Sequence, residues 1–294
     1  MKTGLIMEGG AMRGMFTAGV IDVLMEAGVC FDGAIGVSAG AVFGCNYKSR
    51  QIGRVIRYNK TYCQDPRYVS FRSLLRTGDI YGEEFCYHEL PDRLDPFDVK
   101  TYEENPIDFY VVCTDVETGK PVYHNCLKGD AEDIQWMRAS ASMPALSRFV
   151  NLDGHMLSDG GTADSIPVRF FESIGYERNV VILTQPEGYV KKPNQLLPLL
   201  RILLRKNPAL IQALENRHER YNETIAYIKK QELSGNLLVI RPEAALNIGA
   251  VERHPEELER VYQLGRKEGE KRLAEVEEFL ADKPVELSID FSNH

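Results

Sequence analysis

Ser38 lies in the segment Gly36-Val37-Ser38-Ala39-Gly40, which fits the pattern Gly-x-Ser-x-Gly. This pattern places a serine on a sharp turn between a strand and a helix, where small neighbours let the backbone bend and leave the hydroxyl exposed. A predicted strand precedes Ser38, and a helix rich in alanine and glycine follows it, as such a turn requires. The segment therefore predicts that Ser38 is a nucleophile for acyl transfer.

A second loop of small residues lies near the amino terminus. It consists of Gly9, Gly10, Ala11, Met12, Arg13 and Gly14. Backbone N–H groups in such a loop can point into one concavity and bind an anion. Together with the amide of Ala39, those of Gly10 and Ala11 can converge on the negative charge that develops during attack on an ester, which predicts an oxyanion hole. Arg13 either braces this loop electrostatically or forms a surface salt bridge.

The same loop has two competing interpretations. It is one methyl group away from the dinucleotide-binding pattern Gly-x-Gly-x-x-Gly, but that site needs an acidic residue at the end of the second strand. Asp32 lies near the start of that strand, and Ser38 follows its end. A phosphate-binding P-loop is disfavoured because no Gly-Lys-Ser/Thr follows the loop.

A nucleophilic serine needs a base, and histidine is the usual one. The six histidines are His88, His124, His155, His218, His254 and His294. None of the three in the C-terminal third lies at a predicted strand end, which disfavours a Ser-His-Asp triad. Asp159 ends a short predicted strand in Ser-Asp-Gly-Gly, so we expect it to project at the carboxyl edge of the sheet and to act as the base. The nearby alternatives are Asp153 and Asp164.

The elements that must position these residues alternate between strands and helices. Short apolar runs predict strands over residues 5–7, 31–37, 108–114, 156–158, 179–184 and 236–240. Residues 122–124 are predicted to return as the hairpin partner of the third strand. Apolar residues at helical spacing predict helices over residues 15–27, 39–47 and 133–142, and residues 51–106 are interpreted as a helical flap beside the site. This alternation is typical of a parallel sheet with helices on its faces.

The C-terminal third is predicted to be mainly helical. Gln195–Lys230 has the pattern of one long amphipathic tract, and Pro255–Ala281 alternates acidic and basic residues, which predicts a solvated helix across the domain edge. The apolar and basic stretch Leu196–Lys206 fits either a helix packed on the core or one that contacts a membrane surface. No repeat or low-complexity linker divides the chain, so we predict a single domain over residues 1–294.

Composition bounds the class of protein. The 294 residues are 44% hydrophobic and 27% charged, as in soluble globular proteins, and the net charge of -8 argues against a nucleic-acid partner. The six cysteines are scattered without metal-binding or disulfide-framework spacing. No signal peptide is recognised, and no stretch approaches the roughly 20 apolar residues of a membrane span. We therefore expect a cytoplasmic protein with free thiols, no metal and no cofactor.

Four blocks, taken in order, resemble the patatin-like phospholipase family. EGGAMRG is similar to its glycine-rich oxyanion block, GVSAG to its nucleophile block, ASASMP (Ala139–Pro144) to its small-residue helix before a proline, and DGG to its Asp-Gly-Gly/Ala block. The agreement covers about residues 4–185, the expected catalytic core, and residues 190–294 are expected to be a helical part packed on it with one strand near 236–240. Ala11 replaces a common glycine and Glu8 a common aspartate, from which we expect adjustment of the loop rather than inactivity.

The resemblance implies a three-layer α/β fold with a central, mostly parallel sheet and helices on both faces. It implies a Ca²⁺-independent dyad of Ser38 and Asp159 at the carboxyl edge of the sheet, with Gly160 and Gly161 completing the motif. The implied activity is that of a lipid acyl hydrolase, phospholipase A-like or lysophospholipase, acting through an acyl-enzyme. The implied partner is a lipid or acyl-ester substrate. Peripheral contact at the inner membrane face is the expectation if Leu196–Lys206 contacts a membrane surface. A non-lipid carboxylesterase and a catalytically silent lipid-binding regulatory protein are the alternatives.

Overall fold

The computed structural model describes residues 1–281. Eight strands form one sheet. They are β1 (Lys2–Met7), β2 (Gly33–Val37), β3 (Asp108–Asp115), β4 (Pro121–Asn125), β5 (Val150–Leu152), β6 (His155–Asp159), β7 (Tyr176–Ile182) and β8 (Leu237–Ile240). The α-helices are α1 (Gly14–Glu26), α2 (Ala39–Lys48), α3 (Arg54–Tyr62), α4 (Phe71–Thr77), α5 (Val99–Glu104), α6 (Ala131–Ser140), α7 (Val168–Ser173), α8 (Leu197–Leu203), α9 (Pro208–Glu215), α10 (Arg217–Leu233) and α11 (Pro255–Ala281). His294 and the end of the predicted C-terminal part lie outside the described residues, and the single domain stays a prediction.

The centre of the sheet is parallel, in the order β3-β2-β1-β7-β8. Its strands are apolar on both faces, as in sheets covered by helices on each side. One face packs with α1, α2 and α11 in a large apolar cluster that contains Leu5 and Val111, and the other packs with α7 and α10 around Ile6 and Val112. The predicted α/β fold, with a mostly parallel central sheet between two helical layers, is confirmed.

Two strands share one edge of β3. Val112 pairs with Val37 at the end of β2, and the next residue, Cys113, pairs with Asp159 at the end of β6. The opposite edge of β3 is occupied by β4, which is antiparallel. Strand β6 is also antiparallel to β3, so it runs toward the end of β2 along the same edge. The ends of β2 and β6 therefore meet, and the residues at these ends face each other.

This arrangement corrects the reason for the expected position of Asp159. A strand parallel to its neighbours would carry its last residue to the carboxyl edge of the sheet. Strand β6 instead begins at that edge, where Leu157 pairs with Asp115, and runs back into the sheet to Asp159. The tight turn at Asp153 and Gly154, both of which have positive φ, joins it to β5.

The predicted long tract Gln195–Lys230 is wrong as one continuous helix, because the structure divides it into α8, α9 and α10. Pro208 opens α9, and Asn207 before it has φ of -123° and ψ of 66°, outside the helical region. A proline disfavours helical backbone in the residue that precedes it, so the first break follows from sequence. Between α9 and α10, Asn216 keeps helical backbone angles.

The expectation of a solvated helix over Pro255–Ala281 is wrong for one face of α11. Leu258, Val261 and Val276 are fully buried there. A β-carbon on Gly265 would lie 2.0 Å from the carbonyl oxygen of Phe16, so only glycine permits the close approach of α11 to α1. The charged residues cover the remaining surface of α11, and their alternation hid the buried stripe.

Residues 51–106 contain α3, α4 and α5 and a π-helical segment over Phe85–Leu94 that includes Pro91. The end of this segment is held to α3, where the guanidinium of Arg54 donates two hydrogen bonds to the carbonyl oxygen of Asp95. Among residues 1–281, none of the helices has the combination of length and hydropathy that spanning a bilayer demands.

Candidate active site

Ser38 lies on the turn between β2 and α2 with backbone angles of φ 54° and ψ -120°. This conformation is costly for a residue with a side chain and is held by the surrounding structure. Strand and helix approach so closely that a β-carbon on Gly36 would lie 2.1 Å from the carbonyl oxygen of Gly40. The two glycines of the motif therefore permit the sharp turn that the sequence predicts.

The hydroxyl of Ser140, in α6, fixes this turn. The amide of Ser38 donates to its Oγ at 2.9 Å, and Ser140 Oγ donates to the carbonyl oxygen of Val112 at 2.6 Å. The carbonyl oxygen of Ser142 accepts the amide of Asp159 at 2.8 Å. The segment ASASMP thus holds the backbone on both sides of the site, a role that the sequence analysis did not assign to its serines.

The Oγ atom of Ser38 donates to Oδ2 of Asp159 at 2.6 Å. The other carboxylate oxygen of Asp159 accepts the amide of Gly161 at 2.7 Å. Only 8% of Ser38 and 6% of Asp159 is exposed. Burial raises the pKa of Asp159 above its ordinary value, although the hydrogen bond from Ser38 and the charge of Arg217 lower it. The carboxylate is thus a stronger base than an exposed aspartate and is aimed at the serine hydroxyl.

Gly160 follows Asp159 where the chain crosses β3 closely. A β-carbon on Gly160 would lie 2.0 Å from the carbonyl oxygen of Val112, which excludes any side chain at this position. The hydroxyl of Thr114 donates to the carbonyl oxygen of Asp159 at 2.8 Å and accepts the amide of Ala163 at 3.1 Å. Strand β3 therefore fixes the backbone on both sides of the Asp-Gly-Gly turn.

The loop that follows β1 faces the same serine. Gly9 and Gly10 leave the strand, Ala11–Arg13 form one 3₁₀ turn, and α1 begins at Gly14. A β-carbon on Gly9 would lie 3.2 Å from that of Ser38, which shows how close the two loops are. Met12 is buried and lines the cavity beside Ser38 together with Ala11.

The backbone amides of Gly10, Ala11 and Ala39, near Ser38, have no hydrogen-bond partner among the described residues. Gly10 and Ala39 are buried, where unpaired amides are rare, and such amides can donate to an anion. Ala11 has φ of 48°, in the left-handed region that favours glycine. Alanine at this position therefore keeps the amide but stores backbone strain.

A buried carboxylate, Glu8, anchors this loop from behind. Its Oε2 accepts the amide of Thr184 at 2.6 Å and the hydroxyl of Thr184 at 3.1 Å. Its Oε1 accepts the hydroxyl of Tyr221, in α10, at 2.8 Å. Because every one of these bonds would be lost with a shorter apolar side chain, Glu8 determines where the glycine loop lies.

The first turn of α10 contacts both loops of the site. Nε of Arg217 donates to the carbonyl oxygen of Gly161 at 2.6 Å, and the guanidinium of Arg220 donates to that of Thr162 at 2.8 Å. Tyr221 reaches Glu8 from the same face, since residues spaced by three and four lie side by side on a helix. The sequence pattern indicated only a charged, solvated helix here, and no motif identified these contacts.

Three cationic side chains lie near the glycine loop that follows β1. Burial, together with the charges of Arg217 and Arg13, lowers the pKa of Lys191 to about 8, although the charge of Glu8 opposes the shift. The ammonium group of Lys191 lies 4.3 Å from the ring centroid of Tyr221. Nε of Arg13 is buried and has no acceptor among the described residues. The surface salt bridge expected as one role of Arg13 is therefore not observed there. Three cations close together favour an anion at this point.

A mostly apolar cavity of about 1100 Å³, counted with its open mouth, begins at Ser38. Its apolar wall includes Met12, Phe43, Leu90 and Met137. None of the five histidines in the described part of the chain lines it. Of the alternative carboxylates, Asp153 lies in the β5–β6 turn and Asp164 accepts the hydroxyl of Tyr123 at 2.9 Å, so neither contacts Ser38.

One group of side chains elsewhere could offer ligand atoms to a metal. Donor atoms of His124, Cys126 and Asp133 lie within 4.8 Å of one another, and none of these residues lines the cavity. Oδ2 of Asp133 already accepts the amides of Lys128 and Gly129, both at 2.7 Å. The carboxylate is thus committed to holding the start of α6.

The family model described as "Patatin-like phospholipase" matches residues 5–171, more than half of the chain. The chain belongs to the patatin-like phospholipase family. Membership supports a lipid ester hydrolase. A second family model, "Domain of unknown function (DUF6363)", matches residues 207–281 of this patatin-like chain and so includes α10 and α11.

The patatin-like chain is similar to several curated proteins. The Escherichia coli protein YjjU, which is called uncharacterized, is 29% identical over 96% of this chain and 80% of that protein. An uncharacterized NTE family protein of Mycobacterium tuberculosis is 25% identical over 62% of this chain and 48% of its own length. Lysophospholipase nte1 of Aspergillus oryzae is 26% identical over 59% of this chain. The chain thus spans about half of the mycobacterial relative and 11% of the fungal one.

Among solved structures, VipD from Legionella pneumophila aligns with 93% of this chain and 67% of its own chain, at 14% identity and a TM-score of 0.45. The type III effector ExoU aligns with 92% of this chain and 53% of its own, at 12% identity and a TM-score of 0.35. Similarity at this level assigns no role to the residues of the site.

Proposed function

We propose that the protein is a lipid acyl hydrolase that cleaves fatty-acyl esters with a dyad of Ser38 and Asp159. The observation that carries the proposal is the 2.6 Å hydrogen bond from Ser38 Oγ to Asp159 Oδ2, between two residues that are almost fully buried. The raised pKa of Asp159 supports its role as the base, because a base works best when its pKa approaches the operating pH.

In the proposed reaction, Ser38 Oγ attacks the ester carbonyl carbon while its proton passes to Asp159. The amides of Gly10, Ala11 and Ala39 donate to the oxyanion that forms, and removal of one such donor typically costs about 3 kcal/mol of transition-state stabilisation. The bond between the carbonyl carbon and the leaving oxygen then breaks, and Asp159 gives its proton to the leaving alcohol. Asp159 then deprotonates a water molecule, which attacks the carbonyl carbon of the acyl-serine. The bond from that carbon to Ser38 Oγ breaks, Asp159 gives the proton to Oγ, and the fatty acid and free Ser38 are released.

The surroundings of the dyad support a phospholipid or lysophospholipid as the substrate. The apolar wall of the cavity suits an acyl chain. Arg13, Lys191 and Arg217 lie near the loop where the phosphate of the head group would approach. A small water-soluble ester without charge would use neither the apolar wall of the cavity nor these cations, which disfavours the carboxylesterase alternative.

The proposal includes a cytoplasmic protein that contacts the inner membrane face. The six cysteines form no disulfide bond, as expected of a reducing compartment. A lipid substrate resides in a membrane, so the hydrolase must reach its surface at least transiently.

The test is covalent labelling with a fluorophosphonate probe, followed by turnover of a nitrophenyl ester. We expect the wild-type protein to be labelled and Ser38→Ala to lose both labelling and turnover while keeping its circular dichroism spectrum. Ser142→Ala is a matched control, because Ser142 lines the same cavity but its hydroxyl donates to the carbonyl oxygen of Arg138. Labelling that persists in Ser38→Ala would contradict the assignment, and a wild-type protein that neither labels nor turns over would favour the silent lipid-binding alternative.

A further inference from the structure

Two short helices, α4 and α8, expose an unusual number of large apolar side chains. Residues 1–281 expose fourteen such side chains, and six of them lie on or next to these helices. They are Phe71, Leu75, Leu196, Leu199, Ile202 and Leu203. Their exposed fractions run from 52% to 89%. Single exposed apolar residues are ordinary, but a cluster of this kind marks an interaction surface.

The two helices border the same segment of chain, residues 145–149. Directly after α4, the amide of Ile80 donates to the carbonyl oxygen of Leu146 at 2.9 Å. On the other side, Phe149 packs in one apolar cluster with Leu200 of α8. The chain just after α4 and the buried side of α8 therefore both contact this segment.

This segment adjoins the cavity beside Ser38. Ser147, in the middle of the shared segment, and Met143, just before it, line the cavity, as does Tyr81 just beyond α4. A lipid held against this part of the surface would have its acyl chain close to the cavity and would not need to leave an apolar environment to enter it.

The charged side chains of the two helices themselves are all cationic, and one of them, Arg201 of α8, is paired with Glu215 at the end of α9. Residues 66–77 contain three cationic side chains and residues 188–214 contain five, and neither range contains a carboxylate. Arg72, Arg76, Arg205 and Lys206 form no ion pair within the described residues. This contrasts with the net charge of -8 of the chain. Apolar side chains flanked by unpaired cations fit a membrane surface with anionic head groups.

We propose that α4 and α8, with Leu196, Arg205 and Lys206, form a docking surface for a bilayer that carries anionic lipids. The docking surface lies in the plane of the head groups, since neither helix is long enough to cross the membrane. A second copy of this chain is a poorer occupant, because a two-fold contact would bring two basic surfaces together. The docking surface rests on the proposed function, because the membrane supplies the lipid substrate of the proposed hydrolase.

Vesicle cosedimentation in a Ser38→Ala background tests the docking surface without hydrolysis of the vesicles. The vesicles are phosphatidylcholine alone and phosphatidylcholine mixed with phosphatidylglycerol. We expect tighter binding to the mixed vesicles, and weaker binding as salt rises. Leu199→Ser with Ile202→Ser should weaken binding to the mixed vesicles by on the order of tenfold per side chain.

A charge variant separates the two contributions. Arg205→Gln with Lys206→Gln should weaken binding to the mixed vesicles by about fivefold per cation and leave binding to phosphatidylcholine alone unchanged. The matched control is Lys230→Gln with Leu233→Ser, which removes an exposed cation and an apolar side chain that is 82% exposed at the end of α10. This control should bind like the parent protein.

The docking surface would be overturned if the parent protein failed to bind the mixed vesicles or if the control lost as much binding as the α8 variants. It would also be overturned if the chain self-associated at the concentrations used and Leu199→Ser with Ile202→Ser made it monomeric. Turnover of a soluble nitrophenyl ester is measured separately, in versions of these variants that retain Ser38. This turnover should be equal in all variants. Vesicle binding in the expected pattern without any turnover would refute the proposed function and leave the docking surface in place.

Discussion

Replacement of Asp159 by asparagine tests the proposed dyad most directly. In the wild-type protein Oδ2 of Asp159 accepts the proton of Ser38 Oγ, and Oδ1 accepts the amide of Gly161 at 2.7 Å. Asparagine has nearly the same shape and keeps an oxygen for Gly161, but it turns an N–H group toward Ser38 and cannot take a proton. The turn should therefore persist while the base is lost.

The expected loss is about 10²- to 10⁴-fold in kcat for a soluble nitrophenyl ester, the usual contribution of a positioned general base. The free energy of unfolding at neutral pH should stay equal or increase, since burial raises the pKa of Asp159 and so penalises the charged form in the folded state. Activity of the wild-type protein should fall at acidic pH as Asp159 becomes protonated, at a pH above the ordinary pKa of 3.8. Asp159→Asn should lack this dependence.

Asp164→Asn is the matched control. Asp164 is a half-buried carboxylate whose pKa is also raised by desolvation, and it accepts the hydroxyl of Tyr123 instead of contacting Ser38. We expect near-normal turnover in this variant. If Asp159→Asn kept a rate within about tenfold of the wild type, or if both variants lost activity equally, the assignment of the base would be refuted.

Three further predictions concern the fold and the loop. Burial raises the pKa of Asp22 to about 6, so the folded state prefers the protonated form of this side chain. The free energy of unfolding should therefore fall by about 3 kcal/mol as the pH rises from 4 through 6, as measured by urea titrations at several pH values. Asp22→Asn, which can still accept hydrogen bonds from Tyr262 and from the amide of Gly53, should remove this pH dependence. Gly265→Ala should lower the free energy of unfolding by about 2–3 kcal/mol in the same titrations, because its β-carbon would meet the carbonyl oxygen of Phe16. The control Lys267→Ala, on the exposed face of α11, should leave the free energy of unfolding nearly unchanged. Equal losses in the two variants would contradict the close contact between α11 and α1. Ala11→Gly should relieve the positive φ and raise the free energy of unfolding by at most about 1 kcal/mol with turnover retained, and a loss of stability in thermal denaturation would show that the loop is not strained.

The parts of the site that follow one another closely in sequence could be predicted. The strand before Ser38, the turn and the helix after it are local features, and glycines at 36 and 40 indicate the close approach that the structure contains. The loop after β1 is local in the same sense. Asp159 was identified by its motif, although its strand runs opposite to the expected direction, because strand direction depends on which distant edge the strand pairs with.

The contacts of the C-terminal helices could not be predicted in this way. Arg217 and Arg220 resemble solvated residues of a charged helix, and their acceptors are backbone carbonyls more than fifty positions earlier. A carbonyl group leaves no trace in the sequence, so no pattern pairs it with a guanidinium. The buried stripe of α11 did have a signal, since Gly265 and Gly269 are spaced for one helix face, but the alternating charges around them dominated the pattern.

The contacts of α10 also limit how this protein can be recombined. The segment that matches the domain of unknown function supplies donors to two carbonyl groups beside Asp159 and to the carboxylate of Glu8. A chimera that joined residues 1–190 to the C-terminal part of another protein would leave these buried acceptors without donors unless the graft carried equivalents of Arg217, Arg220 and Tyr221. The two segments are therefore expected to be exchangeable only as a pair.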